Sequence, residues 1–394
     1  MKILVINAGS SSLKFKLFKM LDESVICSGL MEKIGKEDAH ISFKYHDNIL
    51  EKVISIKDHN ESLSILFDII FEKGFLVDIN ELYAVGHRVV HGGNVFSKAR
   101  EINDKVISRL QEFIPLAPLH NPANILGILA IKQKSSKIRQ VAIFDTAFHH
   151  TMPEYAYRYA LKSSCFFEDK IRRYGFHGSS HKYVFSQACS LLKQDENQTN
   201  VISLHLGNGA SACAIQAGKS IDTSMGMTPL EGLVMGTRSG DIDPAIIFYL
   251  NERKGYSLEK IKMILEKESG LYGLCGENDM RKIMSKAKHG NKYQLAIDIF
   301  VYRIKKYIGA YLAILERVDA IVFTGGIGEN SSEIRALIAS GLGGLGIMCD
   351  CVKNEEKQER SFSFHKKDTS IKLFVIPTNE ELEIARQSKE ALDG

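Results

Sequence analysis

Two stretches built alike, far apart in the chain, restrict what it can fold into more than any other feature. Residues 3–18, ILVINAGSSSLKFKLF, open on the apolar β-branched run from Ile3 to Ile6, break at NAGSSS, and resume with Leu13, Phe15 and Leu17 in strict alternation. Apolar strand, small polar turn and alternating strand predict a β-hairpin. Its turn holds Asn7, Gly9, Ser10, Ser11 and Ser12, whose backbone N–H groups and hydroxyls can close around an anion, and Lys14 follows on the outgoing strand. A plain surface hairpin with a polar turn is the competing reading. Residues 201–215, VISLHLGNGASACAI, repeat the construction around Gly207, Asn208 and Gly209. Two such units predict two similar halves facing a shared cleft. Neither is a P-loop, because the Gly218-Lys219-Ser220 triplet has Cys213 where that motif needs its first glycine. Gly341, Gly343 and Gly346 spell a dinucleotide-type pattern, but they trail a helical stretch, so the match is chance.

A chain of 394 residues exceeds what one core organises, roughly 250–300 residues, and predicts two domains. Hydrophobic residues at 44% and charged ones at 25% are those of an ordinary globular protein. The net charge of +4 is spread without like-charged runs, which argues against nucleic-acid or membrane partners and suits small anionic substrates. Seven cysteines in largely apolar surroundings, without disulfide or zinc spacing, read as reduced, buried thiols. No stretch reaches the length of a membrane span or resembles a signal peptide, and the expected location is the cytoplasm.

Further strands are expected at 24–34, 39–46 and 49–56, then a helix capped by Asn60 and stopped by Gly74. The strand in 81–93 delivers Arg88, which is costly at a buried strand end unless an anion meets it. That anion can be a ligand or a carboxylate of the fold itself. Helices are expected at 103–113 and 122–135. The run 141–144 then delivers Asp145 at its end, where open α/β sheets place ligands, although a helix N-cap is the alternative. His149 and His150 read as satisfied loop histidines. The loop 172–183 carries Phe176 and His177 before a helix to about Leu192. The long segment 222–244 holds Pro229, Arg238 and Asp241 and is too apolar to be a disordered linker. Helices are expected near 244–253, 257–268, 279–288 and 292–317. Residues 319–338 read as strand, glycine turn and helix, a ready nucleotide site. In 372–387 a strand leads to Asn379 as N-cap and to Glu380 and Glu381, which a helix dipole alone would explain.

Taken together these stretches resemble the acetate kinase family over the whole chain and in collinear order. The matching segments are the first hairpin, GHRVVHGG, IFDTAFHHTMP, YGFHGSSH, SLHLGNGAS, the 222–244 loop, FTGGIGENS and IPTNEELEIA. The resemblance implies an α/β, two-domain actin-like ATPase (ribonuclease-H-like) fold, a duplicated βββαβαβα core with the active site in the interdomain cleft. It implies an N-terminal domain over 1–147, completed by a helix at about 378–394, and a nucleotide-binding domain over 148–377. The implied reaction is reversible, direct in-line transfer of the ATP γ-phosphoryl group to acetate, giving acetyl phosphate and ADP. A propionate or other short-chain acyl kinase, and a non-catalytic actin-like nucleotide-binding protein, are the alternatives.

The resemblance also assigns residues. Asp145, His177 and Arg238 are the implied catalytic groups, and Arg88 the carboxylate ligand, with Val90, Leu119, Phe176 and Pro229 shaping an apolar acyl pocket. ATP contacts fall on Ser10, Ser12, Lys14, His205, Leu206, Gly207, Asn208 and Gly209. They continue at Asp279, Met280 and Arg281, and at Gly326, Ile327, Gly328, Glu329 and Asn330. Asn7 and Glu380 match the family's magnesium positions, with Mn²⁺ as a substitute for Mg²⁺. A homodimer is implied, and the 292–317 helix offers apolar area that an interface or core packing explains equally well. The polar segment 353–370 is expected to be an exposed surface excursion.

Overall fold

The computed structural model describes residues 1–118, 120–288, 290–356 and 360–394. These divide into two compact units, Met1–Phe148 with Asn379–Gly394, and His149–Thr378.

The first unit is built on β1 (Lys2–Ala8). Ile3, Leu4 and Val5 are fully buried because β2 (Ser12–Lys19) pairs with one edge of β1, antiparallel, and β6 (Leu82–Val89) with the other, parallel. Burying each such side chain contributes about 1.5–3 kcal/mol. β3 (Ser24–Glu32), β4 (Lys36–Tyr45) and β5 (Asn48–Ile56) continue the meander outward, and β7 (Arg100–Glu101) and β8 (Gln140–Phe144) lie beyond β6. The order among the described strands is β5-β4-β3-β2-β1-β6-β8-β7. Alternation along β2 sends Leu13, Phe15 and Leu17 into a core shared with the helices His59–Glu72 and Asn121–Lys134. Lys14 and Lys16 face the other way, toward the helix Glu380–Asp393, which packs on β1, β6 and β8.

The second unit repeats the plan. β9 (Asn200–Leu206), β10 (Ala210–Gln216) and β11 (Lys219–Thr223) form an antiparallel meander. β12 (Ala320–Thr324) runs parallel to β9, and β14 (Lys372–Val375) parallel to β12, with β13 (Phe362–Ser363) at the edge. Thus β11-β10-β9-β12-β14 reproduces β3-β2-β1-β6-β8, three antiparallel strands followed by two parallel ones. The helix Gly178–Leu192 lies on β9 and β12, and the 25-residue helix Asn291–Leu315 packs on β9 and β10. This is the duplicated α/β core of actin-like ATPases. Among the described residues no helix is long and apolar enough to cross a membrane.

Several local expectations need correction. The first helix is capped by Asp58, whose carboxylate accepts from Glu61 N, not by Asn60. Gly325–Asn330 is itself a short helix, where a glycine turn is expected. Its first residue has φ +76°, and a Cβ there would lie 2.8 Å from Leu206 O. In 353–370, of which 357–359 lie outside the described residues, the described part is no simple excursion, since Phe364 is fully buried and Phe362 pairs with Val375 across β13 and β14. Cys27, Cys189, Cys213 and Cys275 are buried, but Cys165 and Cys349 are half-buried and Cys351 is exposed. The long 291–315 helix packs Ile297, Phe300, Ile304 and Ile308 into the core and leaves Leu295, Tyr302 and Ile314 exposed.

Candidate active site

In the first unit the site grows from the parallel ends of β6 and β8. Their register sets Arg88 beside Ile143 and Val89 beside Phe144, and Asp145 N donates to Val89 O at 3.0 Å. The two side chains therefore meet as a fork: Arg88 Nε donates to Asp145 Oδ1 at 2.9 Å and Nη2 to Oδ2 at 2.6 Å. Asp145 is 1% exposed, whereas the Arg88 side chain keeps 22% of its surface. The anion that meets Arg88 is thus a carboxylate of the fold. Arg88 Nη1 has no partner among the described residues, so donors remain for a second anion. Burial works against the charged guanidinium, but Asp145 and then Glu380 outweigh it and raise its pKa. Burial also pushes the Asp145 carboxyl above its usual range, against Arg88 and helped by Glu380.

Two asparagines that sequence reasoning missed hold this strand exit. Asn124 Oδ1 accepts from Val90 N at 3.1 Å while its Nδ2 donates to Ala8 O at 2.8 Å, and Asn121 bonds both N and O of His91 at 3.1 Å. They sit in the HNPAN run at a helix start, where local capping already explains an asparagine. Val90 is 8% exposed. Leu119 lies outside the described residues.

Glu380 stands in the first turn of its helix, behind Asn379, whose Oδ1 accepts from Leu382 N at 3.3 Å. Asn379 is the cap expected. Lys14, expected at the nucleotide, is paired with Glu381, which also meets Lys16 at 3.0 Å. Burial would raise Glu381, yet Lys16 and Lys14 together hold it down at about 2. Asn7 closes β1 opposite Lys14. Ser10 is exposed and Ser12 half-buried in a turn closed by Gly9 N donating to Ser12 O at 2.8 Å.

In the second unit a group assembles around the β9–β10 turn. A Cβ on Gly209 would lie 2.9 Å from Arg238 Nη2 and 3.5 Å from His177 Nε2, so both side chains border this glycine. Arg238 Nη1 donates to Pro229 O at 2.6 Å, which ties the acyl-pocket candidate to the catalytic candidate. Burial lowers its pKa, with Glu266 opposing. His177 has φ +57° at the start of the helix Gly178–Leu192, and its ring stacks on His205 with centroids 4.3 Å apart. Gly236 N donates to Asn208 O at 2.9 Å, fastening the 224–244 loop to the turn. Phe176 is buried, its carbonyl accepting from His149 Nε2 at 2.9 Å.

Sequence reasoning also missed the staple beneath that loop. Arg173 Nη1 donates to the carbonyls of Thr223 and Ser224 at 2.8 and 3.1 Å, and its Nη2 to Glu231 at 2.5 Å. An Arg-Arg pair between Ile171 and Tyr174 gives no signal for it.

The remaining candidates are less concentrated. Glu329 turns its carboxylate back into the fold, accepting from Gly325 N at 2.8 Å and Thr378 N at 3.1 Å. Gly326 and Asn330 are exposed, Ile327 is half-buried and Gly328 is buried. Asp279 caps its helix and is forked by Arg281, whose bonds draw its carboxyl down to about 2, while Met280 is buried. Leu206 is the buried end of β9, and Gly207 N closes the turn on Gly209 O at 3.0 Å.

A duplicated actin-like core with one arginine forked to a carboxylate and another at a glycine turn fits a phosphotransferase, the class the family match shows. The chain is a member of the acetokinase family, whose model matches residues 2–386. It is 50% identical over 391 residues to an acetate kinase of Sulfurovum sp. (strain NBC37-1), covering 99% of this chain and 98% of that protein. The solved acetate kinase of Porphyromonas gingivalis superposes with a TM-score of 0.93 at 42% identity, covering 99% of both chains. A propionate kinase from Francisella tularensis subsp. tularensis SCHU S4 gives the same TM-score and coverage at 44% identity.

Proposed function

We propose that this enzyme transfers the γ-phosphoryl group of ATP to acetate, reversibly and in line, giving acetyl phosphate and ADP. The observation that carries the reading is the Arg88–Asp145 fork, which leaves Nη1 of a guanidinium without a partner among the described residues at the joined ends of β6 and β8. Arg88 binds the acetate carboxylate by charge-assisted hydrogen bonds, and Asp145 holds the guanidinium in its plane. Acetate is already ionised at neutral pH, so no base is needed to create the nucleophile. Arg238 and His177 take the charge that develops on the transferring phosphoryl group. Val90, Phe176 and Pro229 limit the acyl chain. The glycine turn at 207–209, with His205 and Leu206, and the segments 279–281 and 326–330 hold the nucleotide, together with Ser10, Ser12 and Lys14 of the first turn.

The donors suit a hard divalent cation. Glu380 and the buried Asp145 share the field of one guanidinium, and Asn7 adds a neutral oxygen donor at the end of β1. Among the described residues no group of three or more His, Cys, Asp or Glu could hold a metal. Mg²⁺, or Mn²⁺ in its place, would take Asn7 and Glu380, the positions the family resemblance implies, as its protein ligands, with phosphates and water completing the shell. When bound, it neutralises charge on the phosphates.

A coupled assay for ADP with purified protein, ATP, Mg²⁺ and acetate tests the reaction. Acetate-dependent ADP release is expected, and none with either acetate or propionate overturns the reading. The similarity to a propionate kinase favours a second reading, in which propionate is the better acceptor. The kcat/KM ratio for the two acids decides between them. Val90→Ala is expected to move that ratio toward propionate by up to about tenfold, and an unchanged ratio removes Val90 from the pocket.

The homodimer is proposed on a different surface from the 292–317 helix. The helix Ala245–Lys254 buries none of its residues and exposes Ile246, Phe248 and Tyr249, beside Leu258 and Met263 of its neighbour. Phe248→Glu is expected to yield monomers by sedimentation. A cytoplasmic location suits an ATP-dependent enzyme with seven free cysteines.

A further inference from the structure

We propose that a one-way chain of hydrogen bonds, from Ser203 through His181 and Ser211, fixes His177 in the tautomer that carries its proton on Nε2. The inference rests on the reading above that His177 stabilises the phosphoryl group.

Four side chains lie in series. Ser203 Oγ is 2.9 Å from His181 Nδ1, His181 Nε2 is 2.8 Å from Ser211 Oγ, and Ser211 Oγ is 2.9 Å from His177 Nδ1. Ser203, Ser211 and His181 are all fully buried. Distances alone allow the protons to point either way along such a chain, and the far end decides. Ser203 Oγ makes no other hydrogen bond among the described residues. Were His181 to donate from Nδ1, the Ser203 proton would be a buried donor with no acceptor, which costs far more than an idle lone pair. Ser203 therefore donates to His181 Nδ1.

The remaining directions follow. Burial, with His149 and His205 nearby, holds the His181 pKa well below its ordinary value, so the ring is neutral and carries one proton. With Nδ1 accepting, that proton is on Nε2 and is donated to Ser211 Oγ. Ser211 has one proton of its own and gives it to His177 Nδ1. A neutral His177 that accepts at Nδ1 must be a donor at Nε2, the atom that borders Gly209 beside Arg238 Nη2. The chain thus aims a preset N–H at the turn where phosphoryl charge is to be met, with no reorganisation needed at the moment of transfer. Ser203, His181 and Ser211 are positioning residues, since none of them is asked to touch substrate.

The test is ¹⁵N NMR of the full chain labelled at histidine imidazole nitrogens, with His177→Gln identifying the His177 signals. In the wild-type protein at pH 8 a protonated-type shift is expected at Nε2 and an unprotonated-type shift at Nδ1. Ser211→Ala should shift His177 toward a mixture of tautomers and lower kcat by about tenfold, with KM for ATP within about twofold. Ser211→Thr keeps the hydroxyl and should restore both. A wild-type His177 protonated on Nδ1, or a Ser211→Ala protein with an unchanged tautomer, overturns the proposal, and the wild-type spectrum decides alone should the variant not fold. Because the tautomer is read without turnover, a wild-type protein that makes no acetyl phosphate refutes the functional reading and leaves this measurement standing.

Discussion

The hairpins β1–β2 and β9–β10 hold the same place in their sheets and carry opposite kinds of chemistry. The first leaves Ser10 and Ser11 of its turn exposed, and its outward face puts Lys14 and Lys16 against Glu381. The second, whose turn is likewise closed by a backbone bond, has strands of buried Ser211, Ala212, Cys213 and Ala214, with histidine–serine hydrogen bonds around it. Both pair antiparallel at the same place in their sheets, so topology does not set the chemistry. The neighbours do, an acidic helix start beside one hairpin and a histidine-bearing helix with an arginine loop beside the other. The flanking strands repeat the contrast. At the ends of β6 and β8 the buried carboxylate Asp145 is held by a guanidinium, while beyond β12 and β14 Glu329 is held by two backbone N–H groups.

The largest expected effect tests which hairpin handles the reacting phosphate. Arg238→Ala removes the charged donor at Gly209 and should lower kcat by about 10³-fold or more, with little change in thermal stability. Lys14→Ala at the first hairpin should cost less than about tenfold, because Lys14 is half exposed and already paired with Glu381. Equal losses in steady-state assays of the two variants would erase the distinction drawn between the turns.

Next comes the contrast between a carboxylate held by charge and one held by backbone. Arg88→Ala leaves Asp145 buried without its partner and should destabilise the protein by about 3 kcal/mol in urea unfolding, besides abolishing acetate-dependent turnover. Adding Asp145→Ala should recover part of that stability, since the stranded charge is gone. Glu329→Gln keeps an acceptor for its two N–H donors and should cost about 1 kcal/mol. A double variant no more stable than Arg88→Ala alone would mean that the fork does not dominate the energetics of Asp145.

How much of this was legible depends on the range over which each feature is encoded. Both hairpins were readable because alternation and glycine turns are local, and β12 and β14 were readable as short apolar runs. The Arg88–Asp145 fork was not, since it requires β6 and β8 to be parallel neighbours, a pairing that leaves no mark on either segment. Glu381 was hidden by a sufficient local explanation, an acidic first turn, although its partners lie more than 360 residues away. The 353–370 stretch misled because Phe362 and Phe364, one of them fully buried, alternate among charges that otherwise read as surface. Arg238 and His177 were legible as residue types in glycine-rich loops, but their meeting at Gly209 rests on Arg173 and Asn208 fastening the 224–244 loop.

The smallest effect separates the hairpins by pH. Glu381 is depressed from its ordinary 4.5 to about 2, so its ion pairs favour the fold above pH 4.5 and are lost as pH falls from there toward 2. The shift would correspond to about 3 kcal/mol, discounted to about 2 because Lys14 is half exposed. Wild type should therefore be about 2 kcal/mol more stable than Glu381→Gln at pH 7 in urea titrations, with the gap closing toward zero near pH 2. The second hairpin has no carboxylate among its strand residues, so this carboxylate-linked loss between pH 4.5 and 2 has no counterpart there. A Glu381→Gln gap that does not narrow with acid would place the stabilisation of the first hairpin in packing of β2 against the helix Glu380–Asp393, making the two hairpins alike in energetics as they are in topology.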